Sequence, residues 1–246
     1  MKTMPVFVGE MTFPEAESFE GAVAFLPTGA TEAHGPHLPL STDVVISQEG
    51  ARRAALRLRE KGRAAVVLPP LAYAVTEFAA SFAGTISLPF DTAKALARDV
   101  MIGAHRAGFS GVVVCNAHLE PENLRALKVA MKEANANGAR VVFPDVTRKP
   151  HALRLGEEFK SGACHAGRYE TSLVLAAQPE LVRESHRELE PNPSSLSVAI
   201  RDGKKDFVAA GGPSAYFGWP ADASAEEGDA LYEEMADIFA TAAGEL

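Results

Sequence analysis

Four short apolar runs stand out along the chain, each closed by glycine, proline or a polar cluster. Residues 22–27, Ala-Val-Ala-Phe-Leu-Pro, lie between Gly21 and Gly29 and are continuous rather than alternating, the pattern of a strand buried on both faces. Residues 64–68 (before Pro69 and Pro70), 111–115 and 140–143 read the same way. Helical periodicity fills the gaps. Val44–Lys61 places Val45, Ile46, Ala51, Ala55 and Leu56 on one side and Arg52, Arg53, Arg57 and Arg59 on another, and Gly62 stops it. Thr92–Ala107, with Asp91 as its expected cap, and Asn123–Asn137, ended by Gly138, are further helices. Glu170–Ala177 and Ala225–Ala243 complete the set. Strands alternating with helices predict an α/β fold: a three-layer α/β/α sandwich with a parallel-rich central sheet, in a single domain over 1–246. Residues 187–222 carry Pro191, Pro193, Gly203, Gly211, Gly212, Pro213 and Pro220 and read as irregular. They are too long for an idle connection, so an active-site cover, a subunit contact or a mobile excursion are all open.

Composition narrows the class. Hydrophobic residues make up 47% of 246, enough for a large core, and the net charge of −8 leaves no footprint for nucleic acid or an anionic membrane. No apolar stretch approaches the ~20 residues of a membrane span. Residues 1–5 lack the apolar segment of a secretory signal. Two cysteines, Cys115 and Cys164, are too few for a disulfide framework, so a cytoplasmic location is expected. Cys115 ends a strand and reads as core; Cys164, beside His165, lacks an activating arrangement.

The chemistry sits behind two of the strands. Glu32, His34 and Asp43 follow the first, on what reads as the loop at its carboxyl end, where open α/β sheets place their ligands. His118 and Glu120 follow the third. Glu-X-His and His-X-Glu spacings on extended backbone aim alternate side chains the same way. Imidazole with carboxylate suits zinc or manganese, and the absence of thiolates argues against a closed structural zinc site. Five such groups could hold a pair of ions about 3.5 Å apart that share one activated water. His37 exceeds what five ligands require; it reads either as a group orienting a ligand or as a loop residue bonded to backbone. His105, His151 and His186 read as solvent-facing.

These blocks resemble the creatininase (creatinine amidohydrolase) family. The likeness begins at residues 6–12 and is strongest over 26–39, Leu-Pro-Thr-Gly-Ala-Thr-Glu-Ala-His-Gly-Pro-His-Leu-Pro. It continues through 84–88, 116–120 and 165–172, in the family's order and spacing. The resemblance implies two divalent ions per chain, zinc and/or manganese, with Glu32 and His118 on one, His34 and Glu120 on the other, and Asp43 between them. It implies a catalytic role for His165, a carboxylate of the same block at Glu170, and a homo-oligomer, by likeness a hexamer. The expected reaction is hydrolysis of a C–N bond in a small non-peptide amide, cyclic amide or formamide by a hydroxide bridging the ions, with Glu120 and His165 handling protons. A metal-dependent lyase or isomerase on the same fold, and a catalytically inactive binding homologue, are the alternatives. The chain also departs from the family. It has Leu119-Glu120 where many members have Gly-Gly, and where creatininase carries tryptophans around its substrate this chain's one tryptophan, Trp219, lies near the C-terminus. The family's frequent histidine before its Phe-Pro-Gly-Thr block is missing from residues 81–85. The core is retained and the substrate wall is changed, which makes creatinine an unsafe substrate assignment.

Overall fold

The computed structural model describes residues 5–246; residues 1–4, on which the expectation about a secretory signal falls, lie outside the described residues. Strands β1 (Val23–Thr28), β2 (Ala65–Val67), β3 (Gly111–Asn116) and β4 (Val141–Val142) form one sheet in the order β2-β1-β3-β4. Every pairing is parallel, with Val23 opposite both Ala65 and Gly111. β1 and β3 are buried along their whole length, as continuous apolar runs require in a sheet covered on both faces. Pro27, which cannot donate to a ladder, is accommodated near the end of central β1, where its carbonyl still accepts from Leu71.

Alternate strand residues feed two cores. Val23, Phe25, Val67, Val113 and Cys115 pack against α2 (Thr42–Glu60), α7 (Arg168–Ala177) and α9 (Ala225–Ala242). Ala24, Leu26, Val66, Val112 and Val114 pack against α3 (Phe90–Arg106) and α4 (Pro121–Ala136). This is the three-layer α/β arrangement the pattern predicts. The basic face of α2 clasps α9: Arg53 reaches Asp229 and Glu233, and Arg57 reaches Glu233 and Asp237. These partners are well exposed, so each pair adds little stability.

Three expectations are corrected. Asp91 lies in the first turn of α3, where it pairs with Lys94, and Pro89 occupies the cap position. Asp43 belongs to the first turn of α2 rather than to the loop. His186 is buried beside His37, with ring centroids 6.5 Å apart, because the short turn at Glu184–Glu188 folds back onto the loop after β1.

The segment expected to be irregular is tied down. Asn192 pairs with Gly218, α8 (Leu196–Arg201) interrupts the run, and Phe207, Ala210, Ala215 and Phe217 build a third small core with Ala33, Ala79 and Ala163. Leu196, Ser197, Ile200 and Phe207 line a cavity shared with Glu32, Asp43, His118 and His165, so the segment covers those residues.

The end of β1 meets α2 at one point. A Cβ on Gly29 would lie 2.6 Å from the Asp43 Cβ and 2.8 Å from the Val44 nitrogen, so only glycine lets the strand end touch the helix start. Gly29→Ala should therefore cost about 1–3 kcal/mol in urea unfolding. An unchanged midpoint and slope would show that this junction relaxes freely.

Candidate metal centre

The parallel sheet brings the expected residues to one place, the carboxyl ends of β1 and β3. Glu32, His34, Asp43, His118, Glu120, His165 and Glu170 are all buried. Asp43 stands between two imidazoles: Oδ1 is 3.3 Å from His34 Nε2, and Oδ2 is 3.2 Å from His118 Nδ1. Glu32 Oε1 lies 3.2 Å from His118 Nδ1 and 3.7 Å from His34 Nε2. Glu170 Oε2 lies 3.5 Å from His34 Nε2.

Each imidazole spends its other nitrogen on a backbone carbonyl. His34 Nδ1 donates to Glu32 O at 3.2 Å, His118 Nε2 to Val75 O at 2.8 Å, and His165 Nε2 to Ala33 O at 3.0 Å. A ring N–H committed to a carbonyl leaves a lone pair on the opposite nitrogen, and in all three rings that nitrogen faces the cluster. His34 Nε2 has no hydrogen-bond partner among the described residues. The carboxylates are held as well. Ala30 N–H donates to Asp43, Ala166 N–H to Glu170, and the Thr76 hydroxyl to Glu32. Glu120 accepts from the backbone N–H of Glu77 at 3.1 Å and of Phe78 at 3.2 Å.

Three sets of donor atoms lie close enough to share an ion: Glu32–His118–Glu120, His34–Asp43–Glu170 and Glu32–His34–His165. The structure thus joins His34 to Glu170, where the family likeness suggested Glu120. The reason is local: Glu120 occupies the cap position of α4 and points at the backbone of 77–78, whereas Glu170, in the first turn of α7, faces His34.

Electrostatics describe a cluster short of positive charge. Burial acts to lower the His34 pKa, but Asp43, Glu170 and Glu32 outweigh it and push it up to about 10. His118 is raised for the same reason, burial being outweighed by Glu32 and Asp43. Glu32 and Asp43 are lowered against the effect of burial by those imidazoles. Burial pushes Glu120 up to about 7 and Glu170 up to about 8. Burial and then the neighbouring His34 push His165 down to about 3, so it is a neutral base. An orphaned buried nitrogen, converging carboxylates and imidazole lone pairs fit borderline divalent cations.

Several supporting residues escaped the sequence. Asn116 and Asn123 both donate to the His118 carbonyl, at 2.7 and 2.9 Å, and fix the loop after β3. Glu158 accepts from the backbone N–H groups of Arg168, Tyr169 and Trp219, at 2.9, 2.6 and 2.8 Å. That single carboxylate caps α7 and ties it to the covering segment. Gly218 makes room for it, since its φ is +84° and any Cβ there would overlap Glu158 Oε1. No spacing rule marks these residues. His37 bonds Thr171 Oγ1 at 2.9 Å and so anchors the loop to α7 beside Glu170 rather than orienting a ligand ring directly. Cys164 lines the cavity, but burial pushes its thiol up to about 12, leaving no thiolate nucleophile.

The profile of the creatininase (creatinine amidohydrolase) family matches residues 9–243. The chain belongs to the creatininase family. It is 32% identical over 222 residues to the mycofactocin precursor peptide peptidase of Mycobacterium ulcerans, covering 86% of this chain and 80% of the relative. It is 30% identical over 200 residues to the creatinine amidohydrolase of Pseudomonas putida, covering 72% and 74%. A creatininase crystal structure superposes with a TM-score of 0.73 at 26% identity over 99% of this chain and 98% of that one. A manganese form gives 0.73 at 25% identity over 98% of both chains. Family membership makes the chain a hydrolase with the fold of metal-dependent amidohydrolases, and creatininases of this fold include manganese and zinc–zinc forms. No helix among the described residues is long and apolar enough to cross a membrane.

The charge balance has a measurable consequence. The His34 pKa of about 10 exceeds its usual 6.5, so its contribution to stability is complete below pH 6.5 and is lost as pH climbs towards 10. Glu120 and Glu170, raised from 4.5 to about 7 and about 8, act in the same direction, because their charged forms are disfavoured on folding. Chelator-treated protein should therefore lose thermal stability from about pH 6 to about pH 10, and zinc or manganese should raise Tm more at the alkaline end. Metal-free protein that is most stable near pH 9 would contradict this account.

Proposed function

We propose that this chain is a two-ion amidohydrolase that hydrolyses a C–N bond in a small amide or peptide-derived substrate. The observation that carries the reading is Asp43, whose two oxygens face two imidazoles that are each pinned through the far nitrogen. One ion would take Glu32, Asp43 and His118; the other would take His34, Asp43 and Glu170. When bound, such ions lower the pKa of water and polarise an amide oxygen.

The chain's own groups would manage the protons. Glu120, held near pH 7, accepts a proton from the attacking water, since a base works best with a pKa close to the operating pH. A bond forms from the water oxygen to the amide carbon, the C–N bond breaks, and the leaving nitrogen needs a proton. Glu120 by then holds the water's proton, and His165, whose Nδ1 carries a free lone pair, would relay that proton to the nitrogen. Its Nε2 is fixed on Ala33, its Nδ1 lies 3.9 Å from Glu32 Oε1, and its ring is sandwiched between His34 and Phe207 at 4.4 and 4.1 Å. The covering segment keeps bulk water away from the exchange.

The names of the relatives divide between a peptide and creatinine, and the cavity supports the larger, apolar class. It has no tryptophan wall; Phe78, Phe159 and Phe207 are its aromatic lining among the described residues. The whole chain is proposed to act as one catalytic domain, and as in the family likeness it is proposed to assemble as a homo-oligomer, by that likeness a hexamer.

Two measurements test these statements. His165→Ala should keep about two ions per chain by elemental analysis and lower turnover by ~10²–10⁴. Loss of metal in step with activity would instead make His165 a ligand. Creatinine should be a poor substrate of the metal-loaded enzyme. A kcat/KM reaching the ~10⁴ M⁻¹s⁻¹ of a committed enzyme would overturn the altered-wall argument.

A further inference from the structure

The cavity above the cluster has a volume of about 420 Å³, within the range that receives drug-sized ligands. Its floor is the carboxylate–imidazole cluster and its walls are apolar, with Leu119, Phe159, Leu196, Ile200 and Phe207 among them. Among the described residues two cations line it, Lys149 and Lys160, and no arginine does. They come from consecutive short helices, α5 (Lys149–Ala152) and α6 (Gly156–Ser161), which follow the end of β4.

The two lysines are not equivalent. Lys160 Nζ is 2.7 Å from Glu157, a carboxylate whose side chain is 90% exposed and which holds the ammonium only weakly. Lys149 is exposed and makes no ion pair among the described residues. Two ammonium groups and one carboxylate leave this part of the wall with one net positive charge. That balance suits a monoanion such as a carboxylate better than a phosphate dianion. On the hydrolase reading the floor is given to the ions and the scissile amide, so an anionic group would be carried on the lysine side, with the apolar body between the two.

We propose that Lys149 and Lys160 form a carboxylate-recognition rim, so that the substrate is an apolar amide bearing a carboxylate, as at the end of a short peptide. The assignment rests on the hydrolase reading for the position of the scissile bond, and on the cavity lining alone for the rim. Both lysines then set specificity through binding and take no part in bond breaking.

Calorimetric titration of the metal-loaded protein with N-acetyl-leucyl-leucine and with its C-terminal amide tests the rim. Wild type should bind the carboxylate about five- to tenfold tighter, and added salt should shrink the difference. The double variant Lys149→Met/Lys160→Met should bring the two Kd values together, and the Lys149→Arg/Lys160→Arg variant should keep them apart. Equal affinities in wild type, no measurable binding of either at millimolar concentration, or a preference surviving in the methionine variant would overturn the rim. Hydrolysis is scored separately. Lysine-dependent binding without cleavage of any amide would sink the hydrolase reading and leave the rim, and cleavage without discrimination would do the reverse.

Discussion

Four carboxylates and three imidazoles are packed out of water at one end of the sheet, and much of the surrounding architecture answers the cost of that burial. An ionised carboxylate taken from water without compensation costs several kcal/mol, so each must meet donors or positive charge. The backbone supplies part of the answer, through Ala30 for Asp43, Ala166 for Glu170, and Glu77 with Phe78 for Glu120. The rest of the negative charge falls between the imidazoles. With only protons to balance it, His34 becomes a very weak acid and Glu120 and Glu170 are driven towards neutrality. A pair of dications would balance four carboxylates without using the imidazole lone pairs for protons.

The loop that carries Glu32 and His34 also aims other side chains. The carbonyl of Glu32 holds His34, and the carbonyl of the next residue, Ala33, holds His165. The loop is fixed in turn by Gly29 against α2, by His37 on Thr171 and by Gly35, whose N–H bonds the Ala215 carbonyl. Ala166 adopts a positive φ of 51°, an unfavourable state for a residue with a Cβ, immediately before the Glu158-bound start of α7. That strain lets its N–H reach Glu170 while His165 turns into the site, and the capped helix sustains it.

The sequence makes some of this legible and hides the rest for physical reasons. Buried strands show as continuous apolar runs, helices as periodic ones, and both were placed to within a few residues. Candidate site residues are legible where they crowd behind a strand, as with Glu32, His34, His118 and Glu120. The likeness sets His34 with Glu120, whereas Glu170 is the carboxylate near it here, because which carboxylate meets His34 depends on how α7 packs across α2, a long-range contact. Glu158 was invisible: its role lies in three backbone N–H groups from two distant segments, and backbone donors leave no mark in a sequence. His186 was misread for a related reason, since a polar residue in a proline-rich stretch gives no sign that a turn will bury it.

The division between floor and cover explains how one fold can keep its chemistry while its substrate changes. The floor is built from strand ends, a helix start and backbone hydrogen bonds, so altering any one element disturbs several ligands together. The cover comes from α5, α6, α8 and the segment that carries Phe207; its cavity face is largely apolar with one aromatic stack on His165, while Glu158 and a few backbone bonds tie it to the floor. Apolar contacts are non-directional, so they tolerate exchange of side chains far better than a fixed carboxylate does. A wall of phenylalanine, leucine and two lysines can thus stand over this floor where another member of the fold carries other side chains. On the proposed reading, specificity belongs to elements that follow β4, and reactivity to those that follow β1 and β3, together with the start of α7.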